Sequence, residues 1–100
     1  MDSPTLIRTA ADRLELLAAR TTAGDWRTGG LLATRPEVIG HRPDGGTEHV
    51  AEARADSVAW ITALSPAVAP PLAAWLRAAA AADPVEPSAV EFARVLIGRT

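Results

Sequence analysis

Cysteine is absent from the 100-residue chain, which excludes disulfides, thiolate metal sites and a cysteine nucleophile together. Lysine is absent as well, and all ten basic residues are arginine. Against twelve acidic residues the formal net charge is -2, which argues against the broad basic face that displaces counterions from nucleic acid. Arg13, Arg20 and Arg27 read as a solvated face. No apolar run reads as long enough to span a bilayer, and no basic segment followed by an apolar core opens the chain. Neither a membrane span nor a signal peptide is therefore expected. These absences predict a soluble, cytoplasmic chain with no membrane partner and no nucleic-acid partner.

What is present is alanine. Apolar residues make up 48% of the chain, and 22 of them are alanine, against ten Leu, seven Val, four Ile, three Trp and one Phe. The combination of arginine without lysine and abundant alanine is the mark of a high-GC genome. The length suits one domain over residues 1–100. A chain of this size buries only about two-thirds of its unfolded surface. The three tryptophans are the natural anchors of so small a core, and a dimer would give it more to bury.

Leu6, Ala10, Leu14 and Leu17 recur at helical spacing, flanked by Ile7 and Ala18. With Ser3 as cap and Pro4 at the first turn they predict a helix over 4–20, closed by Thr21, Thr22 and Gly24. Glycine and proline then punctuate short apolar pieces. Gly29-Gly30 and Asp44-Gly45 read as hairpin turns, with strands over 25–28, 31–34 and 37–41. From Glu48 the spacing of Val50, Ala53, Ser57, Trp60, Ile61 and Leu64 predicts a second helix. Ser65-Pro66 opens a third, with Val68, Leu72, Trp75, Leu76 and Ala79 as its stripe and Pro70-Pro71 imposing a kink or a late start. Asp83-Pro84 ends it. Ser88 and Glu91 form a capping box for a last helix with Phe92, Val95 and Leu96 facing inward. The expected fold is α+β and helix-dominant: a helix, a small antiparallel β-meander, then two to three helices.

Few residues carry reactive chemistry. His49, Glu52 and Asp56 share one face of a helix starting near Glu48, and His41 approaches from the preceding hairpin. His41, His49 and Glu52 are thus the candidate ligands of a zinc-, manganese- or iron-type site. Acidic residues at a helix N-terminus also suit its dipole, which is the simpler account. Asp44-Gly45-Gly46-Thr47 lacks the lysine and spacing of a phosphate loop and reads as a turn. Ser57 lies on an apolar helix face, while Ser3, Ser65 and Ser88 read as caps, so no catalytic residue and no cofactor is expected.

Trp60 and Trp75 lie on apolar stripes and are expected in the core. Should one be exposed, Trp75 is the candidate, because its alanine-rich helix lets a partner helix approach closely.

The turn Thr22-Ala23-Gly24-Asp25-Trp26, the Asp44-Gly45-Gly46 turn and the alanine-rich helices together resemble the small ead-like early proteins of bacteriophages and prophages, and related uncharacterised actinobacterial proteins. Thr22, Gly24 and Trp26 match the family's Thr-Pro-Gly-Pro-Trp turn, with Ala23 and Asp25 replacing its prolines. Asp56, Trp60, Ile61 and Ala63 fall on its second motif, and Leu72 and Leu76 on the helix after it. The resemblance covers about residues 10–80. It implies the same order of elements and an accessory role, and names no active residue.

The expectation is therefore a small non-enzymatic interaction module. It would bind a protein partner, or a second copy as a homodimer, through Leu72, Trp75 and Leu76, with Trp60 supporting from the core. The alternative is a metal- or ligand-binding protein using His41, His49 and Glu52.

Overall fold

A computed structural model of the chain describes residues 1–30 and 35–100. Its elements run α1 (Ser3–Arg20), β1 (Asp25–Gly29), β2 (Glu37–His41), β3 (Thr47–Glu52), α2 (Ala55–Ala63), α3 (Ala69–Ala81) and α4 (Pro87–Arg99). The fold is α+β with helices dominant, in the expected order. The residues group into two compact units. One joins Met1–Leu17 to Ala69–Thr100, and the other is Ala18–Val68.

The first unit packs α1, α3 and α4 around a seam of small side chains. Ile7, Ala10 and Ala11 of α1 meet Ala73, Leu76 and Ala80 of α3 and Val90 and Ala93 of α4. On α3 the buried positions are Ala69, Ala73, Leu76 and Ala80, a spacing of four, three and four that holds one stripe along the helix. Of the two large residues expected inward beside Leu76, Leu72 packs half-buried against this core and Trp75 is exposed. On α1 the expected stripe largely holds: Ile7 and Ala10 are buried and Leu6 and Leu14 pack half-buried against the same core, while Leu17 is exposed. Phe92 and Val95 of α4, expected to face inward, are exposed.

Polar contacts fasten the rim of this unit. Arg77 of α3 donates to Asp12 at 2.8 Å and also to Glu15 of α1. The bond to Glu15, and then that to Asp12, pushes its ionisation further above the usual arginine range. Arg13 donates to the Thr100 hydroxyl at 2.9 Å.

The starts of α1 and α4 use an acidic cap where a serine was expected. The Thr5 N–H donates to the Asp2 carboxylate at 2.8 Å. Hydrogen bonding from the Thr5 hydroxyl, and then from its N–H, holds the Asp2 carboxyl below the usual range. At α4 the Glu86 carboxylate accepts from the Ser88 N–H at 3.2 Å and from its hydroxyl at 3.0 Å, with Pro87 in the first turn. The Ser88–Glu91 box does not form. A carboxylate satisfies the orphan amides and also suits the positive end of the helix. Pro70 and Pro71 lie in the first turn of α3, the late start, where a missing N–H leaves no bond unmade.

In the second unit β1, β2 and β3 form an antiparallel meander in that order. The Asp44-Gly45 turn joins β2 to β3, with the Gly46 N–H donating to Asp44 Oδ1 at 2.7 Å. The expected strand over 31–34 lies outside the described residues. The helix expected from Glu48 begins instead at Ala55, because Thr47–Glu52 pairs with β2. Val38 pairs with Ala51 and Ile39 with His49, so Val50 is an extra residue in a β-bulge. Val38 and Gly40 form the buried face of β2, and α2 packs against β1 and β2 with Val58 buried. Gly24 has φ of +101°, and a Cβ there would lie 2.3 Å from the His41 carbonyl oxygen. Trp26 seals the same corner by donating its indole N–H to the Thr22 carbonyl at 3.0 Å.

One expectation from composition needs correction. Residues Ala55–Ala81, with mean hydropathy 1.3 over their most apolar stretch, are long and apolar enough to cross a membrane by length and composition. Pro66, Pro70 and Pro71 interrupt the run and hide it from a search for unbroken apolar residues. In the structure it comprises α2, a 3-10 turn over Pro66–Val68 and α3.

Two substitutions test these packings by urea denaturation. Gly24→Ala meets both a left-handed backbone and the His41 carbonyl, and should cost at least about 1–3 kcal/mol. Ala73→Leu overfills the seam and should cost about 1–3 kcal/mol. A change under 0.5 kcal/mol in either would contradict the close approach described here.

Candidate interaction site

Because Ala73 and Leu76 face the seam, the neighbouring stripe is left at its edge, with Leu72 and Ala79 half-buried and Trp75 exposed. Ala89 and Phe92 of α4 lie across from it. Between them runs an apolar groove of about 230 Å³, with Leu76 also lining it and Glu86 and Ser88 completing its wall. Trp75 is 71% exposed and Phe92 38% exposed. The Glu86 carboxylate is already engaged by Ser88, so the groove offers shape and apolar surface and little reactive polarity.

The four residues expected to mediate association do not share one environment. Trp75 and Leu72 stand on the groove, but Leu76, only 3% exposed, belongs to the core. Trp60 belongs to α2 in the other unit and is 69% exposed, which corrects its expected place in the core. Ser57, also expected inward, is exposed, since only Val58 of α2 is buried. The indole of Trp75 points outward because the seam is lined by alanine and holds no space for a large ring. Phe92 is excluded from the seam for the same reason. The seam residues Ala69, Ala73, Leu76 and Ala80 repeat at four, three and four, the same spacing as Val68, Leu72, Trp75 and Ala79, so spacing alone does not distinguish the two stripes.

His49 and Glu52 are strand residues of β3 and not helix residues, while His41 ends β2 within its expected strand. His41 pairs with Thr47, His49 with Ile39 and Glu52 with Glu37. Paired residues share a face, so the bulge at Val50 keeps all three on the side of the sheet away from Val38. They do not converge. His49 Nδ1 lies 2.8 Å from Glu37 Oε2, and no group of three His, Asp or Glu among the described residues is placed to hold a metal ion. Asp56 lies apart on α2. The candidate ligand set is thus replaced by a cross-strand His49–Glu37 pair.

No family model, curated protein or solved structure matches this chain.

The two kinds of position on α3 should separate by stability. Trp75→Ser should stay within about 0.5 kcal/mol of the parent, as surface substitutions do. Leu76→Ala should cost about 2–5 kcal/mol. Urea midpoints with unchanged slopes would report both directly.

Proposed function

We propose that the chain is a small interaction module of accessory type that works by association and not by catalysis, docking a protein partner on the α3–α4 groove. The observation that carries this reading is the exposure of Trp75 beside Leu72 and Phe92 on a helical unit whose own core is already filled by alanine. Tryptophan at the edge of an apolar groove is the side chain that most often dominates a protein interface. Contiguous apolar surface of this kind on a small domain marks a contact site.

Electrostatics favour a protein over nucleic acid as that partner. The one cation of α3, Arg77, is held by Asp12 and Glu15 of its own unit. The resemblance of the Thr22–Trp26 turn to phage early proteins is consistent with an accessory, mobile-element role.

The test compares immobilised parent and Trp75→Asp domains, each exposed to a cell extract and to the free parent domain. Their far-ultraviolet circular dichroism should superimpose, because Trp75 is outside the core. The parent should retain a stoichiometric polypeptide, an extract protein or itself, and the variant should retain at least tenfold less. Equal retention by the two, or none by the parent, would overturn the proposal.

A further inference from the structure

We infer that the occupant of the α3–α4 groove is α2 of a second copy of the chain, seated through Trp60 and Leu64 and laid antiparallel to α4. The inference rests on the interaction reading above and names its partner.

The first observation is a knob that the fold leaves uncovered. The helix α2 carries no charge after Asp56, yet Val58 is its one buried residue. Trp60 is 69% exposed, and Leu64, which caps the helix, is 55% exposed. The two lie one turn apart on the side opposite Val58, and the exposed neighbours Ala59 and Ala63 are small, so both large side chains protrude. A helix apolar on every side is normally covered on every side.

The second observation is the fit of the groove. An engineered apolar cavity of about 150 Å³ takes up a benzene ring. At about 230 Å³ the groove has room for the larger indole, and Leu72, Ala79, Ala89 and Phe92 give it an apolar lining. Knob and groove belong to the same chain, so every solution of it holds them in equal number.

The third observation is charge. Asp56, Trp60 and Leu64 recur every four residues on one face of α2, which sets Asp56 about 6 Å before Trp60 and about 12 Å before Leu64. On α4 the step of seven from Phe92 to Arg99 is nearly two whole turns, so Arg99 shares the side of Phe92, about 10 Å further along. With Leu64 over Ala89 and Trp60 over Phe92, Asp56 is brought toward Arg99 of the other copy. Among the described residues neither Asp56 nor Arg99 has an ion-pair partner in its own chain. The reverse placement would bring Asp56 to Glu86, acid against acid. Each charge suits the dipole at its own helix end, and antiparallel helices bring those opposite ends together.

The experiment is light-scattering molar mass over a concentration series on the parent chain, Trp60→Ser, Trp75→Asp and an equimolar mixture of the two variants. Circular dichroism confirms that each chain is folded. The parent should rise above 10.4 kDa with concentration. Each variant alone should associate roughly tenfold more weakly, as happens when a tryptophan anchor is lost. The mixture should regain association and stop at two chains, because one intact knob meets one intact groove in a heterologous contact. Arg99→Glu should weaken the parent contact about threefold, and adding Asp56→Arg to that chain should restore it. A parent that stays monomeric at millimolar concentration overturns the inference. If that monomer still captures another protein through Trp75, the interaction reading survives alone; if it captures nothing, both fall. Association lost in Trp75→Asp but kept in Trp60→Ser, or a mixture no better than its parts, overturns the α2 seat. Failure of Asp56→Arg to restore the contact overturns its direction.

Discussion

The thinness of the helical seam decides most of what this chain presents to solvent. Ala10, Ala11, Ala73, Ala80 and Ala93 let α1, α3 and α4 approach closely, with Ile7 and Leu76 as the bulkier fillers. Each buried alanine removes little apolar area from water, at about 25 cal/mol per Å². Stability therefore depends on dense contact among many small groups, and dense contact leaves no volume for an indole. The large side chains are displaced outward by the same packing that holds the helices together. The groove of α3 and α4 is a consequence of the seam and not an addition to it.

The sheet unit depends on a different closeness. The main chain at Gly24 lies against the carbonyl of His41, and the Trp26 indole N–H ties the same turn to Thr22. That corner sets the start of β1, and β1 sets the register of β2: Asp25 opposite His41, Trp26 opposite Gly40. The bulge at Val50 then turns His49 and Glu52 to one side of the meander. His49 finds Glu37 there, which gives two polar side chains a local partner on the outward face of the sheet.

The parts of this architecture legible in the sequence were those governed by backbone chemistry. The break at Gly24, the Asp44-Gly45 turn, the stop near Asp83 and the late start forced by Pro70-Pro71 all follow from residues whose backbone options are few. Which face of α2, α3 and α4 turned inward was not legible, because alanine fits either side of an interface and large apolar residues dominate a stripe read by hydrophobicity. The indole of Trp75 outweighs the methyl of Ala73 by hydrophobicity, yet Ala73 is buried and Trp75 is exposed. The segment Glu48–Glu52 failed for a related reason. Its pattern fits a helix locally, and only the hairpin turn before it required a strand as its second arm. The metal-type grouping of His49, Glu52 and Asp56 depended on that helix and disappeared with it. Glu86 and Asp2 show the same limit at the caps: serine was the commoner choice by type, while the nearby carboxylate had the reach.

The order of the helical unit along the chain has a consequence for its synthesis. Asp12 waits 65 residues for Arg77, and Arg13 waits 87 for Thr100. A ribosome delivers the whole of Ala18–Val68 before α3 exists, so every residue of the meander is synthesised while α1 still lacks both neighbours in its seam. Closing so long an intervening segment costs little more than closing a short one, since the entropy grows only with the logarithm of length. The emerging α1 nevertheless carries Ile7 and its alanines uncovered throughout that interval. Its acidic pair, Asp12 and Glu15, keeps one side of the waiting helix hydrated until the arginine that claims it arrives.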